Sequence, residues 1–312
     1  MSTPTAGRRQ RAQRSKSTGA KPTNKWATVV ALAVLAFAIL FALLMRLVFD
    51  GADQPGTGLA PNQGCRVTVE GFSTYLTFEQ AENASIIVGE SIRRRLAPRA
   101  ATIALTTVYQ ESGMRNLDYG DRDSVGLFQQ RPSQGWGTVE QIMDPWYSSG
   151  RFYDVLVTIP DWQTGDVNDV AQAVQRSGFP DAYRQHEQKG RSWASALTGH
   201  SPAAVSCVDR SEPPANAQSW QDYLQRVFGE RVTVASPAPN QFVIQTPDQT
   251  TAWAVAQLAL LRARTDGISR VAVADVQMTV GSSDIPSWQP INQQPTPRPL
   301  PATGIVEVTL RG

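Results

Sequence analysis

The sequence predicts a mainly α fold: a single N-terminal transmembrane helix, a helical domain, then a small α+β domain. Three observations predict it. Residues 26–45 form a run of 20 residues without a charge. Between Phe72 and Gly199 apolar residues recur three or four positions apart, with no convincing alternation. After Ser219 short alternating runs appear among helical ones. With 312 residues, 41% of them hydrophobic, and two Cys, the chain has apolar material for one or two domains. A wholly disordered, collagen-like or disulfide-built chain is excluded.

The charge is lopsided. Residues 1–25 carry Arg8, Arg9, Arg11, Arg14, Lys16, Lys21 and Lys25 and no acid, so a formal net charge of +2 leaves −5 for residues 26–312. A nucleic-acid-binding body needs basic residues clustered on itself, and this one is mildly acidic, so nucleic acid is not an expected partner.

Residues 1–25 read as a basic cytoplasmic tail and 26–47 as a transmembrane signal anchor. Twenty helical residues span about 30 Å, the hydrocarbon thickness of a bilayer. The run exceeds the roughly 7–15 apolar residues of a cleaved signal, and Arg46-Leu47-Val48-Phe49-Asp50 offers no cleavage site. The seven charges ahead of it keep the tail inside and put everything after Phe49 outside, so the chain is expected to be single-pass at the cytoplasmic membrane. Residues 48–64, rich in Gly, Pro and polar side chains, read as a stalk.

Residues 65–210 are expected to be the helical domain. Cys65 and Cys207 bracket it on the oxidising side, which favours a disulfide over two free thiols. Thr77-Phe78-Glu79-Gln80 has the form of a capping box, followed by Ala81, Ala84, Val88, Ile92 and Leu96 on one stripe. A second helix is expected over 98–112, stopped by Gly113, and further ones after Thr138, Pro145, Asp166 and Pro180. Residues 211–218 read as a linker. Within 219–312 a helix begins at Ser219, strands fall at 231–235, 241–246, 271–278 and 304–310, a helix covers 250–264, and 286–301 is a Pro-rich loop. This last part holds no chemical motif, so a structural role or an envelope protein partner is expected of it.

Glu111 ends the helix of residues 98–112. Apolar surroundings and the negative end of the helix dipole both disfavour its charged form, and a carboxylic acid still protonated near neutral pH can donate to a glycosidic oxygen. The bland alternative is a solvated Glu at a helix end.

Glu111-Ser112, with Gly126-Leu127-Phe128-Gln129 beginning fifteen positions after Glu111, resembles the ES and GLMQ motifs of the soluble lytic transglycosylase and goose-type lysozyme superfamily. More narrowly, NLDYGDRDSVGLFQQRPSQGWGT resembles a group of actinobacterial membrane-anchored envelope proteins of lysozyme-like fold. The resemblance covers about residues 72–200. It implies a lysozyme-like domain that cleaves β-1,4 bonds of peptidoglycan glycan strands, as a lytic transglycosylase or muramidase, with Glu111 as catalytic acid. Ser112, Gly126, Leu127, Phe128 and Gln129 would line the substrate, with Ser112 orienting Glu111. Two departures stand out: Phe128 replaces Met, and the third motif, Ala-Tyr-Asn, has no clean copy, leaving Gln175 as its stand-in.

Asp118, Asp121 and Asp123 are candidates for the second carboxylate of a hydrolase; loop capping is the alternative. Their spacing does not match a calcium loop, and no metal or cofactor is expected. Trp136, between Gly135 and Gly137, is the aromatic expected to meet sugar. His186 and His200 have no nucleophile motif beside them. The competing reading is an inactive lysozyme-like module that binds glycan or scaffolds an envelope assembly.

Overall fold

A β-hairpin opens the described chain, which comprises residues 63–293 and 304–312 of a computed structural model. Strands β1 (Gly64–Val69) and β2 (Phe72–Leu76) are joined by Glu70 and Gly71 at φ 50° and 82°, the positive values a two-residue turn demands. Strand β3 (Val205–Val208) pairs with the other side of β1, giving an antiparallel sheet of order β2-β1-β3.

This sheet corrects the expected mainly α class. The described residues hold nine α-helices and two antiparallel sheets, so strands frame both parts of the chain. Alternation in β1 buries Cys65 and Val67 and turns Thr68 outward, over too few residues to stand out beside the long helical text that follows.

Helix α1 (Phe78–Arg93) starts on the expected capping box: Thr77 N–H donates to Gln80 Oε1 at 2.9 Å and Gln80 N–H to Thr77 Oγ1 at 3.3 Å. Helix α2 (Pro98–Ser112) stops at Gly113, whose φ of 60° suits a left-handed cap. Every residue from Ala100 to Tyr109 is buried, so α2 is the axis around which the others pack. Those others are α3 (Val139–Ile142), α4 (Pro145–Leu156), α5 (Val167–Gln175) and α6 (Glu187–Leu197).

Helix α6 meets α2 at Gly190. A Cβ there would collide with Thr106 Oγ1 and lie 2.9 Å from Thr106 N and 3.0 Å from Thr102 O, backbone that cannot give way. Gly190→Ala is therefore expected to cost about 1–3 kcal/mol of stability by overpacking, and a lowered urea midpoint checks it. An unchanged midpoint would mean the two helices lie farther apart than this.

The remaining elements are α7 (Ala217–Phe228), β4 (Thr233–Ala238), β5 (Gln241–Gln245), α8 (Gln249–Leu261), α9 (Ala263–Asp266), β6 (Ile268–Val273), β7 (Val276–Thr279), β8 (Gln289–Pro290) and β9 (Ile305–Leu310). They form an antiparallel sheet of order β4-β5-β9-β6-β7-β8. The single strand expected over 271–278 is instead the hairpin β6–β7, turned at Ala274 with φ 54°.

The segments on either side of residues 211–218 share one core. Tyr223 of α7 donates to Ser85 O of α1 at 2.8 Å. Fully buried Gln257 of α8 donates to Ala196 O at 2.6 Å and accepts from Ala204 N–H and Val205 N–H at 2.9 and 3.1 Å. Cys65 and Cys207 face each other across β1 and β3, both buried, and form the expected disulfide. The expected tail, the membrane span at 26–47 and residues 48–62 of the stalk lie outside the described residues, among which no helix is long and apolar enough to cross a membrane.

Candidate active site

Helix α2 delivers Glu111 to its last turn, where the carboxyl is largely removed from water while an edge of the residue stays accessible. The hydroxyl of Tyr183 donates to Glu111 Oε1 at 2.5 Å. Burial raises the Glu111 pKa above its ordinary value, because the charged form loses hydration. Hydrogen bonds from Tyr183 and Gln175 oppose that rise without cancelling it. The Tyr183 hydroxyl is itself pushed up, by burial and then by the adjacent carboxylate.

Tyr183 was not among the residues expected here. Its side chain is fully buried, and its loop is pinned at both ends by α5: Asn168 Nδ2 donates to Pro180 O at 2.9 Å, Arg184 N–H donates to Asn168 Oδ1 at 3.1 Å, and Arg184 pairs with Asp166 at 2.9 Å. One signal pointed to it: Ala182-Tyr183 begins as the Ala-Tyr-Asn motif does, with Arg184 in the third place.

Gln175, the expected stand-in, does reach the site. Its Nε2 donates to Phe128 O at 2.7 Å, tying α5 to the turn at residues 126–129, and its amide lies close enough to the Glu111 carboxyl to favour the charged form.

That turn serves the fold as much as the surface. Ser112 Oγ is buried and donates to Leu127 O at 2.7 Å; it fastens the end of α2 to the turn, 15 residues on, and makes no hydrogen bond to Glu111 among the described residues. Leu127 and Phe128 are fully buried, with Phe128 stacked on Phe152 at 4.6 Å between ring centres. None of these three side chains therefore presents itself to a substrate, which corrects that expectation: an apolar pair this close to the axial helix is worth more inside. Gly126, at φ 80°, is required by packing, since a Cβ would lie 2.8 Å from Ile142 O. Gln129 is half-buried at φ 47°, and its Nε2 donates to Tyr119 O and Gly126 O, both at 3.2 Å.

The three aspartates part company. Asp123 accepts from Arg131 Nε at 2.8 Å, Ser133 N–H at 2.8 Å and Ser133 Oγ at 3.0 Å, contacts that hold its carboxyl far below the usual range. It is a loop cap. Asp118 and Asp121 stand on the exposed face of the same loop. Among the described residues no group of three or more metal-binding side chains gathers anywhere.

Trp136 is half-buried against the core, and its carbonyl accepts from Tyr147 Oη at 3.2 Å. Among the described residues the aromatic side chains that do stand in solvent are Tyr119, 66% exposed, and Phe179, 76% exposed. Tyr119 rides on the loop that Gln129 holds, and Phe179 on the loop that carries Tyr183. Two surface cavities, one beside α7 and β4 and one at the N-terminal end of α2, lie elsewhere and do not include Glu111. No family model matches the chain, and no curated protein is similar enough to count as a match.

Proposed function

We propose that the chain is a glycan-cleaving enzyme, anchored by residues 26–47 with its folded part outside the cytoplasmic membrane, that cuts β-1,4 bonds of peptidoglycan by acid–base chemistry at Glu111. The observation that carries the reading is the Glu111 carboxyl itself: desolvated enough to favour its proton, yet at an accessible edge and oriented by Tyr183. Its position in the motif resemblance adds to that.

One acid is enough. Glu111 hands its proton to the glycosidic oxygen as the bond from C1 to that oxygen breaks. The carboxylate then takes the proton of the sugar's own 6-hydroxyl as that oxygen closes on C1, which returns the acid to its starting state and leaves an anhydro end. This route fits a site whose nearest sequence candidates for a second carboxylate are a loop cap, Asp123, and two solvent-facing acids. Tyr119 and Phe179 offer aromatic faces of the kind that stack on pyranose rings.

A specific observation favours a second reading. The Gln129 amide is spent on Tyr119 and Gly126, as it would be in a module that holds glycan or an envelope partner without turnover. Incubating the full chain with purified peptidoglycan and weighing the soluble fragments separates the two. Anhydro-ended fragments support the enzyme, reducing ends move it to hydrolysis, and retained binding without fragments overturns it in favour of the second reading.

A further inference from the structure

At the end of α2 opposite Glu111, some 20 Å away by the helix rise, lies a cavity of about 290 Å³. It sits where the ends of five helices converge, α1, α2, α6, α7 and α8. Gly199, after α6, presses on the start of α8 so closely that a Cβ would collide with Thr250 O and lie 3.0 Å from Ala254 N. Arg231, after α7, reaches across to α1, donating to Ile92 O at 3.1 Å, and to Val227 O at 2.6 Å.

The floor is apolar, made by Ile92, Leu96, Phe228 and Ala254, and the rim is cationic, made by Arg95 and Arg231 with His200 beside them. The Arg95 guanidinium makes no hydrogen bond or ion pair among the described residues. Arg231 feels it across the cavity: burial first, then the Arg95 charge, holds the Arg231 pKa below its ordinary value. The one carboxylate of the rim, Asp248, is turned to capping α8, accepting from Thr251 N–H at 2.7 Å.

Two helix starts face the cavity, opposite the C-terminal ends of α1, α6 and α7, of which Arg231 caps the carbonyls of α1 and α7. The first turn of α8 opens on the cavity through Thr250 and Thr251, and that of α2 opens through Pro98, behind an N-cap, Ala97, that supplies no side-chain acceptor. Arg231 also donates from Nε to Phe228 O at 3.1 Å, so over the apolar floor the Arg95 guanidinium, with the remaining Nη1 of Arg231 beside it, is left to meet a negative partner.

We infer that this cavity binds an organic anion, a carboxylate or phosphate held by Arg95 and Arg231 and borne on a small apolar group that fills the floor. The site is independent of Glu111 and stands whatever reaction that residue performs. Guanidinium forks match both oxyanions, so the two are separate arms of one test.

Titration calorimetry on the full chain would use phenyl phosphate, benzoate and, as a neutral shape control, benzyl alcohol. One or both anions are expected to bind and benzyl alcohol is not; the tighter anion identifies the source chemistry. Arg95→Glu should weaken the anion at least tenfold. Arg95 sits at φ 57°, a conformation Asn tolerates, so Arg95→Asn, with an expected several-fold loss, guards against misfolding. Asp248→Asn keeps the cap acceptor, removes the rim's negative charge and should tighten binding. Equal binding of benzyl alcohol, failure of both anions, or an Arg95→Glu affinity equal to wild type would each overturn the assignment.

Discussion

Glu111→Gln is expected to lower the release of glycan fragments by roughly 10²–10⁴-fold, the usual worth of a positioned general acid, while the fold stands. The stability half of the prediction has a definite sign. Glu111 keeps its proton in the native state at pH values where the unfolded chain, with a carboxyl near 4.5, has lost it. The native state then binds more protons than the unfolded one, so stability falls as pH rises from about that value through the raised native pKa. Gln has no proton to lose and no such slope. Denaturant midpoints of the two proteins should converge at acidic pH and separate above it, with Glu111→Gln the more stable at neutral pH. Activity of the wild type needs the protonated acid and should decline through the same native pKa. Tyr183→Phe removes a hydrogen bond that favours the carboxylate, so the alkaline limb of the pH profile should move to higher pH. A limb that stays in place would mean that Tyr183 merely fills space. Wild-type activity in Glu111→Gln would end the acid–base reading altogether.

The parts of this site differ in how plainly they can be read from the chain, for physical reasons. Helix α2 is legible to the residue because Pro98 and Gly113 mark its ends with backbone constraints that no tertiary contact overrides. The capping box at Thr77 and Gln80 is likewise a local bargain between neighbours. The first hairpin is harder: its turn signal is the single Gly71, and its strands are five or six residues long. Hardest is Tyr183, whose partner lies 72 residues away, so only the folded chain shows that a core tyrosine doubles as a hydrogen-bond donor to the acid. Gly126 teaches a related lesson. A glycine at a suggestive motif invites a reading in terms of substrate, yet the atom it makes room for is the carbonyl of Ile142, 16 residues on and out of sight in any local window.

Removing the Cys65–Cys207 link should have the largest effect on stability. The bond closes 142 residues of sequence separation, enclosing α1 to α6. The chain-entropy model assigns about 5 kcal/mol to so long a loop, an upper figure. At about 2–4 °C per kcal/mol for a domain of this size, a Cys65→Ala/Cys207→Ala variant should melt roughly 10–20 °C lower. The effect is not uniform. Cys65 and Cys207 are cross-strand partners in the β1–β3 ladder, so the weakest point after removal is that ladder, and backbone amides of β1 and β3 should exchange hydrogen faster than those of α2. Both sulfurs are buried, at 1% and 0% exposure, so a reducing agent added to the native protein acts only through opening of the sheet. Reduction should therefore be slow in buffer and fast in mild urea. A melting point unchanged within about 2 °C would show that the β1–β3 ladder and the shared core hold the first strand without the covalent tie.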